Sequence, residues 1–166
     1  MPKDLREKQR LTYKPAVMVA DPVNLRILQE LTQNPRLTMS ELGRRVALSA
    51  PAVTERVRRL EESGVIRGYR TDIDPAALGL PLAAYVRVRA NPGQVAKIAE
   101  VAQGIPEIVE CHCVIGEDSF ILKVHLPDLA QLDRVLNHFL LYGTTTTALI
   151  QSSPVQSRAL PLPDAL

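Results

Sequence analysis

The chain has 166 residues, 46% apolar and 23% charged, with a formal net charge of +2. That size admits one domain or two small ones with a real core, and its apolar runs are too short for a membrane-spanning helix. The opening MPKDLREKQR has no apolar signal-peptide core, so a cytoplasmic location is expected.

Residues 1–20 are basic and weakly periodic. They read as an N-terminal tail, an arm on DNA, or a helix packing across a dimer. A helix is predicted from Asp21, with Pro22 at its first position and Leu25, Leu28 and Leu31 inward, before Asn34-Pro35 stops it. Thr38 and Glu41 form a T-x-x-E capping box for a second helix, whose Leu42 and Val46 face a core. Ser49 is a good N-cap for a third, and Pro51 falls in its first turn. Val53, Val57 and Leu60 make that helix's buried stripe, leaving Pro51, Thr54, Glu55 and Arg58 on the opposite face, and Gly64 sits where a C′ glycine ends it. This is the form of a helix-turn-helix that places its last helix in the major groove of DNA.

Charge agrees with that reading. Residues 1–70 hold 14 Lys+Arg and 8 Asp+Glu, whereas residues 71–166 hold 6 and 10. A basic half beside an acidic half fits phosphate binding confined to one domain.

Residues 71–82, with DPAALGLPL, read as a hinge. Beyond it the period changes to two. Leu80–Ala90 alternates, with Ala84, Val86 and Val88 opposite Tyr85, Arg87 and Arg89. Gln94–Gln103 reads as a helix with Val95, Ile98, Ala99 and Ala102 on one side, ended by Gly104. Ile108–Ile115 is a second strand, Gly116-Glu117-Asp118 a turn, and Phe120–Leu126 a third strand. Asp128–Tyr142 is a helix carrying Leu129, Leu132, Leu136, Phe139 and Leu140, capped by Gly143, and Thr144–Ser152 is a fourth strand. The order β-α-β-β-α-β is the ferredoxin-like split βαβ arrangement. Its helices cover one sheet face, so a second copy is expected to cover the other. The proline-rich end, residues 153–166, is expected to wrap a neighbour or lie free.

With LS-x-x-x-V-x-x-R-V-R-R-L-E-x-x-G-V-I-x-G-Y from Leu48, then E-C-H-x-V-x-G from Glu110, the chain resembles the Lrp/AsnC (leucine-responsive, feast/famine) regulators from about Asp21 to about Pro154. The resemblance implies an α+β protein. A trihelical (winged) helix-turn-helix domain, 21–70, is joined by the hinge to a βαββαβ RAM domain, 83–154, with a tail at 155–166. It further implies homodimers that assemble to octamers, sometimes tetramers or hexadecamers, on double-stranded promoter DNA. A small effector, an amino acid, binds between dimers near the loop joining the second and third strands. A nucleoid-associated location goes with that DNA binding, and no cofactor beyond the effector, no metal and no membrane partner is expected.

Carried onto matching positions, Ser49, Pro51, Ala52, Thr54, Glu55 and Arg58 are expected to reach bases or their sugars, and Arg44, Arg45, Arg56 and Arg59 phosphates. Arg56 and Arg59 have the alternative of pairing with Glu61 or Glu62. Glu55 either accepts from a cytosine amine or disfavours wrong sequences. The effector loop, Gly116, Glu117, Asp118, Ser119 and Phe120, departs from the family's G-D-x-D-[YF]: Ser119 offers a neutral acceptor where a carboxylate is usual, leaving Glu117 or Asp118 to hold an ammonium. As an ordinary hairpin turn, G-E-D-S needs no ligand. Cys111 and Cys113 share a strand face opposite His112, which favours buried structural thiols over a metal site with His125 or a redox switch.

No nucleophile with a base, phosphate-cradling loop or catalytic carboxylate pair is recognisable, so an enzyme is not expected. The remaining alternative is an effector-independent architectural DNA-compacting protein, distinguished by a specificity ratio near one.

Overall fold

The computed structural model describes residues 19–162. They divide into two compact units, one running to Thr71 and joined by the segment from Val155, the other spanning Asp72–Pro154.

The first unit contains α1 (Pro22–Gln33), α2 (Met39–Arg45) and α3 (Ala50–Glu62). Each begins on the predicted cap. Asp21 Oδ1 accepts from the Val23 and Asn24 amides at 2.8 and 3.2 Å, Thr38 Oγ1 from Glu41 N at 3.2 Å, and Ser49 Oγ from Ala52 N at 3.4 Å. Only half of the predicted capping box forms, because the Glu41 carboxylate turns to Arg44 and Arg45 instead of the Thr38 amide. Ile27, Leu42, Val53 and Leu60 are fully buried, with Leu28, Leu31, Val46 and Val57 around them. The α2–α3 turn is tight. Gly43 is buried, and a Cβ there would lie 2.7 Å from the Leu48 carbonyl oxygen. After α3, Gly64 takes φ +74°, and Ile66 N donates back to Leu60 O at 3.0 Å. Val65 and Ile66 then pack on the core, and the chain continues without strands to Asp74. Leu162 is half-buried against this same core. Residues 151–161, which lead to it, are exposed.

The second unit opens with a 3-10 turn, Pro75–Leu78, whose Asp74 cap accepts from Ala76 N at 3.0 Å. It continues as β1 (Leu82–Ala90), α4 (Val95–Gln103), β2 (Ile108–Cys113), β3 (Phe120–Leu126), α5 (Leu129–Asn137) and β4 (Gly143–Leu149). The sheet order is β2-β3-β1-β4 and every pairing is antiparallel. This is the ferredoxin-like βαββαβ fold. Ala84, Val86 and Val88 of β1 and Phe120, Leu122, Val124 and Leu126 of β3 pack with Ile98, Ala102, Leu132, Val135 and Phe139 of the helical layer. The register places Tyr85, Arg87, Arg89, Lys123, Thr144, Thr146 and Ala148 on the opposite, open face.

Some boundaries differ from expectation. Val95, Leu129 and Leu140 are exposed rather than inward, because they lie at or beyond the ends of their helices. α5 stops at Asn137 and the chain turns, yet Phe139 remains buried. Gly143 starts β4 rather than capping α5. A Cβ there would lie 2.3 Å from Arg89 O, so the close approach of β1 requires glycine. β2 ends at Cys113 rather than Ile115, and β4 at Leu149 rather than Ser152.

Candidate nucleic-acid interface and effector loop

The buried stripe of α3 fixes which side chains face solvent. With Val53, Val57 and Leu60 sealed into the core, Pro51, Ala52, Thr54, Arg58 and Arg59 are exposed and Glu55 is partly so. Thr54 Oγ1 donates to Ala50 O at 2.7 Å, leaving the oxygen's lone pairs and the methyl group outward.

All five predicted arginines are held by carboxylates. Arg44 donates to both Glu41 oxygens at 3.1 and 2.7 Å, and Arg45 joins Glu41 at 3.0 Å and Glu30 at 2.8 Å. On α3, Arg58 is bidentate on Glu55 at 2.9 and 2.7 Å and also meets Glu62, while Arg59 reaches Glu55 at 2.8 Å. These guanidiniums hold the Glu41 and Glu55 carboxyls down at about 2, so both are ionised at neutral pH. Arg56 differs. Its Nη1 donates to Asp21 Oδ2 at 2.7 Å and to Asn24 Oδ1 at 2.9 Å, tying α3 to the start of α1 and lowering the Asp21 carboxyl. The proposed pairing of Arg56 or Arg59 with Glu61 or Glu62 is thus corrected: Asp21 and Glu55 are their partners, and Arg58 is the one that takes Glu62.

The sequence did carry a signal for most of this. Glu41-x-x-Arg44-Arg45 and Glu55-x-x-Arg58-Arg59 repeat one spacing, i, i+3, i+4, on consecutive helices. The Arg56–Asp21 pair is not local and left none. Sequence reading also passed over Arg36, Arg67 and Arg70, which are exposed and have no carboxylate partner among the described residues. Nearby, Tyr69 donates to Glu61 at 3.0 Å, and burial with that carboxylate raises its phenol to about 12.

In the second unit, the segment from Gly116 to Phe120 joins β2 to β3. Ser119 is committed to the backbone: its Oγ accepts from Ala90 N at 3.2 Å and its amide donates to Val88 O at 2.9 Å. Arg89 donates from Nε to Glu117 O at 3.0 Å and lies 3.2 Å from its carboxylate, and Arg87 stands 3.7 Å from Asp118. The two acids are unequal, Glu117 being 90% exposed at its side chain and Asp118 25%. Phe120 is buried in the core.

Cys111 and Cys113 are both exposed, correcting the expectation of buried thiols. They belong to β2, which lies at the edge of the sheet. No helix of the described residues is long and apolar enough to cross a membrane.

Two family models match the chain. That for winged helix-turn-helix DNA-binding domains covers residues 21–67, and that for the Lrp/AsnC ligand binding domain covers residues 83–160. The HTH-type transcriptional regulator LrpC of Bacillus subtilis is 35% identical over 135 residues, 81% of this chain and 94% of its own. Among solved structures, the Neisseria meningitidis regulator NMB0573 in complex with L-Met superposes with a TM-score of 0.76 at 28% identity, covering 88% of this chain and 99% of its own. The feast or famine regulatory protein Rv3291c of M. tuberculosis, complexed with L-methionine, gives 0.76 at 32% identity, covering 86% and 99%.

Proposed function

The chain belongs to the Lrp/AsnC family of transcriptional regulators, and from that premise we propose how its two units divide the work. It is a DNA-binding regulator and not an enzyme. α3 enters the major groove and presents Ser49, Pro51, Ala52, Thr54, Glu55 and Arg58 to base edges and sugars. Arg44, Arg45 and Arg59 flank it for phosphates. Arg56 is better placed to orient the helix than to touch DNA, since its guanidinium is engaged by Asp21 and Asn24. The observation that carries this reading is the polar, exposed side of α3, whose other side is sealed into the core.

The second unit assembles copies and binds an effector. Its open face, lined by Tyr85 and by β4 threonines, suits a second copy packed face to face. The effector is an amino acid held near Gly116–Phe120. Two relatives whose structures contain L-methionine support that class. So does the juxtaposition of Arg87 and Arg89 with Glu117 and Asp118, which offers both signs of charge that a zwitterion needs.

The test is light-scattering mass of the purified chain, alone and with each of the common amino acids at millimolar concentration, beside DNA binding by anisotropy. A mass of several chains that shifts with one amino acid is expected. No shift and no heat of binding with any of them would remove the effector. Binding with a specificity ratio near one would then identify an architectural DNA-compacting protein.

A further inference from the structure

Cys111 and Cys113 lie directly across from Leu122 and Phe120 of β3, so both thiols are on the helix-covered side of the sheet. They remain exposed because β2 is the edge strand. That side is opposite the open face proposed for dimerisation, so a face-to-face dimer leaves the thiols accessible.

The spacing decides what the pair can do. Two residues apart on a strand, their β-carbons are separated by about 6.7 Å, twice the rise per residue. A disulfide needs β-carbons about 3.5–4.5 Å apart, so the pair cannot oxidise to an internal disulfide while β2 stays paired to β3. A single atom between the sulfurs has no such difficulty: two metal–sulfur bonds of about 2.3 Å laid end to end span about 4.6 Å, which the thiols reach by leaning together. Tetrahedral coordination would need further ligands. His112 pairs across from Ile121, and His125 from Ala83, on the opposite face, and among the described residues no group of three or more His, Cys, Asp or Glu is placed to hold a metal. A bound cation displaces the protons of both thiols to solvent.

We propose that Cys111 and Cys113 form a two-coordinate, linear bis-thiolate site for a soft monovalent cation of the Cu(I) class. Its place in the fold is the stem of the β2–β3 hairpin: Cys113 is opposite Phe120, the residue that follows the Gly116–Ser119 loop. The site stands independently of amino-acid binding at that loop.

The experiment is an anaerobic competition of the full chain against a Cu(I)–bicinchoninate complex, with mass and circular dichroism confirming that each variant is folded. One Cu(I) per chain is expected to be withdrawn. Cys111→Ser and Cys113→Ser should each weaken binding by about a hundredfold or more, since one remaining thiolate cannot complete the pair. His112→Ala and His125→Ala should leave it unchanged. Failure to withdraw Cu(I), one-half ion per chain shared between copies, two ions per chain bound by independent thiols, or loss of binding in a histidine variant would each overturn the proposal.

Discussion

Replacing Glu55 with Gln removes one negative charge from the outer side of α3 and releases the guanidiniums it holds. Glu55 accepts from Arg58 at 2.7 and 2.9 Å and from Arg59 at 2.8 Å. Arg58 keeps Glu62, whereas Arg59 has no second carboxylate among the described residues. Arg59 is thus freed completely and Arg58 in part, adding one to two available phosphate contacts on each reading helix. Each such contact steepens the dependence of log K on log salt by about 0.9, so the slope should grow by about 0.9 to 1.8 per helix. Affinity should rise at low salt, with the gain shrinking as salt increases. Anisotropy titrations of a labelled duplex between about 50 and 200 mM salt measure this directly. The midpoint of thermal unfolding should hardly move, because exposed pairs at i, i+3 and i, i+4 contribute little to stability. An unchanged slope would show that these arginines do not face phosphate. Loss of binding to one sequence alone, at unchanged slope, would show that Glu55 accepts from a cytosine amine rather than restraining Arg58 and Arg59.

Three further outcomes follow from the geometry. Gly143→Ala places a Cβ 2.3 Å from Arg89 O and 3.2 Å from Ala90 Cα, both backbone atoms that cannot rotate away, and should cost about 2–3 kcal/mol in denaturant unfolding. Thr38→Ala removes the 3.2 Å cap on α2 and should cost about 1 kcal/mol by the same measurement, with Thr38→Asp restoring most of it. Glu41 and Glu55 titrate near 2 in the folded chain against an ordinary 4.5, so what their pairs contribute is complete above 4.5 and lost as pH falls toward 2; because these pairs are exposed that contribution is small, and the melting temperature of a Glu41→Gln, Glu55→Gln variant should run nearly parallel to that of the parent chain across this window.

The helix-turn-helix was legible because its determinants are local. Caps at Asp21, Thr38 and Ser49, a 3.6-residue stripe and a C′ glycine are each decided within a few residues, and all formed. The strands were legible through their period of two, down to the ends of β3. What failed depended on neighbours distant in sequence. Leu129 and Leu140 continue an amphipathic pattern whose outer members no second element covers. Cys111 and Cys113 have the composition of buried residues, but burial depends on strand order, and β2 is at an edge. Arg56 looks like its neighbours on α3, yet its partner Asp21 stands 35 residues away. The expected exposed row of arginines becomes a row of ion pairs, two of whose hubs sit at Glu41 and Glu55.

That pairing bears on how a regulator of this kind holds its charges at both sites. On α2 and α3, and again beside the β2–β3 loop, arginines stand against carboxylates rather than alone. An exposed pair of this sort is nearly neutral in stability, so a ligand that replaces one partner meets little resistance. On the reading proposed above, phosphate would displace Glu41 or Glu55 from arginine at small cost, and the displaced carboxylate would repel a misplaced backbone, so affinity and rejection would arise from one arrangement. At the loop the same logic applies with the signs divided. The carboxylate of an amino acid would take the place of Glu117 on Arg89, and the freed Glu117, already 90% exposed, would turn to the ammonium. Ser119 then need not carry charge. Its hydroxyl accepts from Ala90 N and keeps the loop against β1. On that reading, charge recognition at this loop would fall to an exchange of ion-pair partners between β1 and the turn.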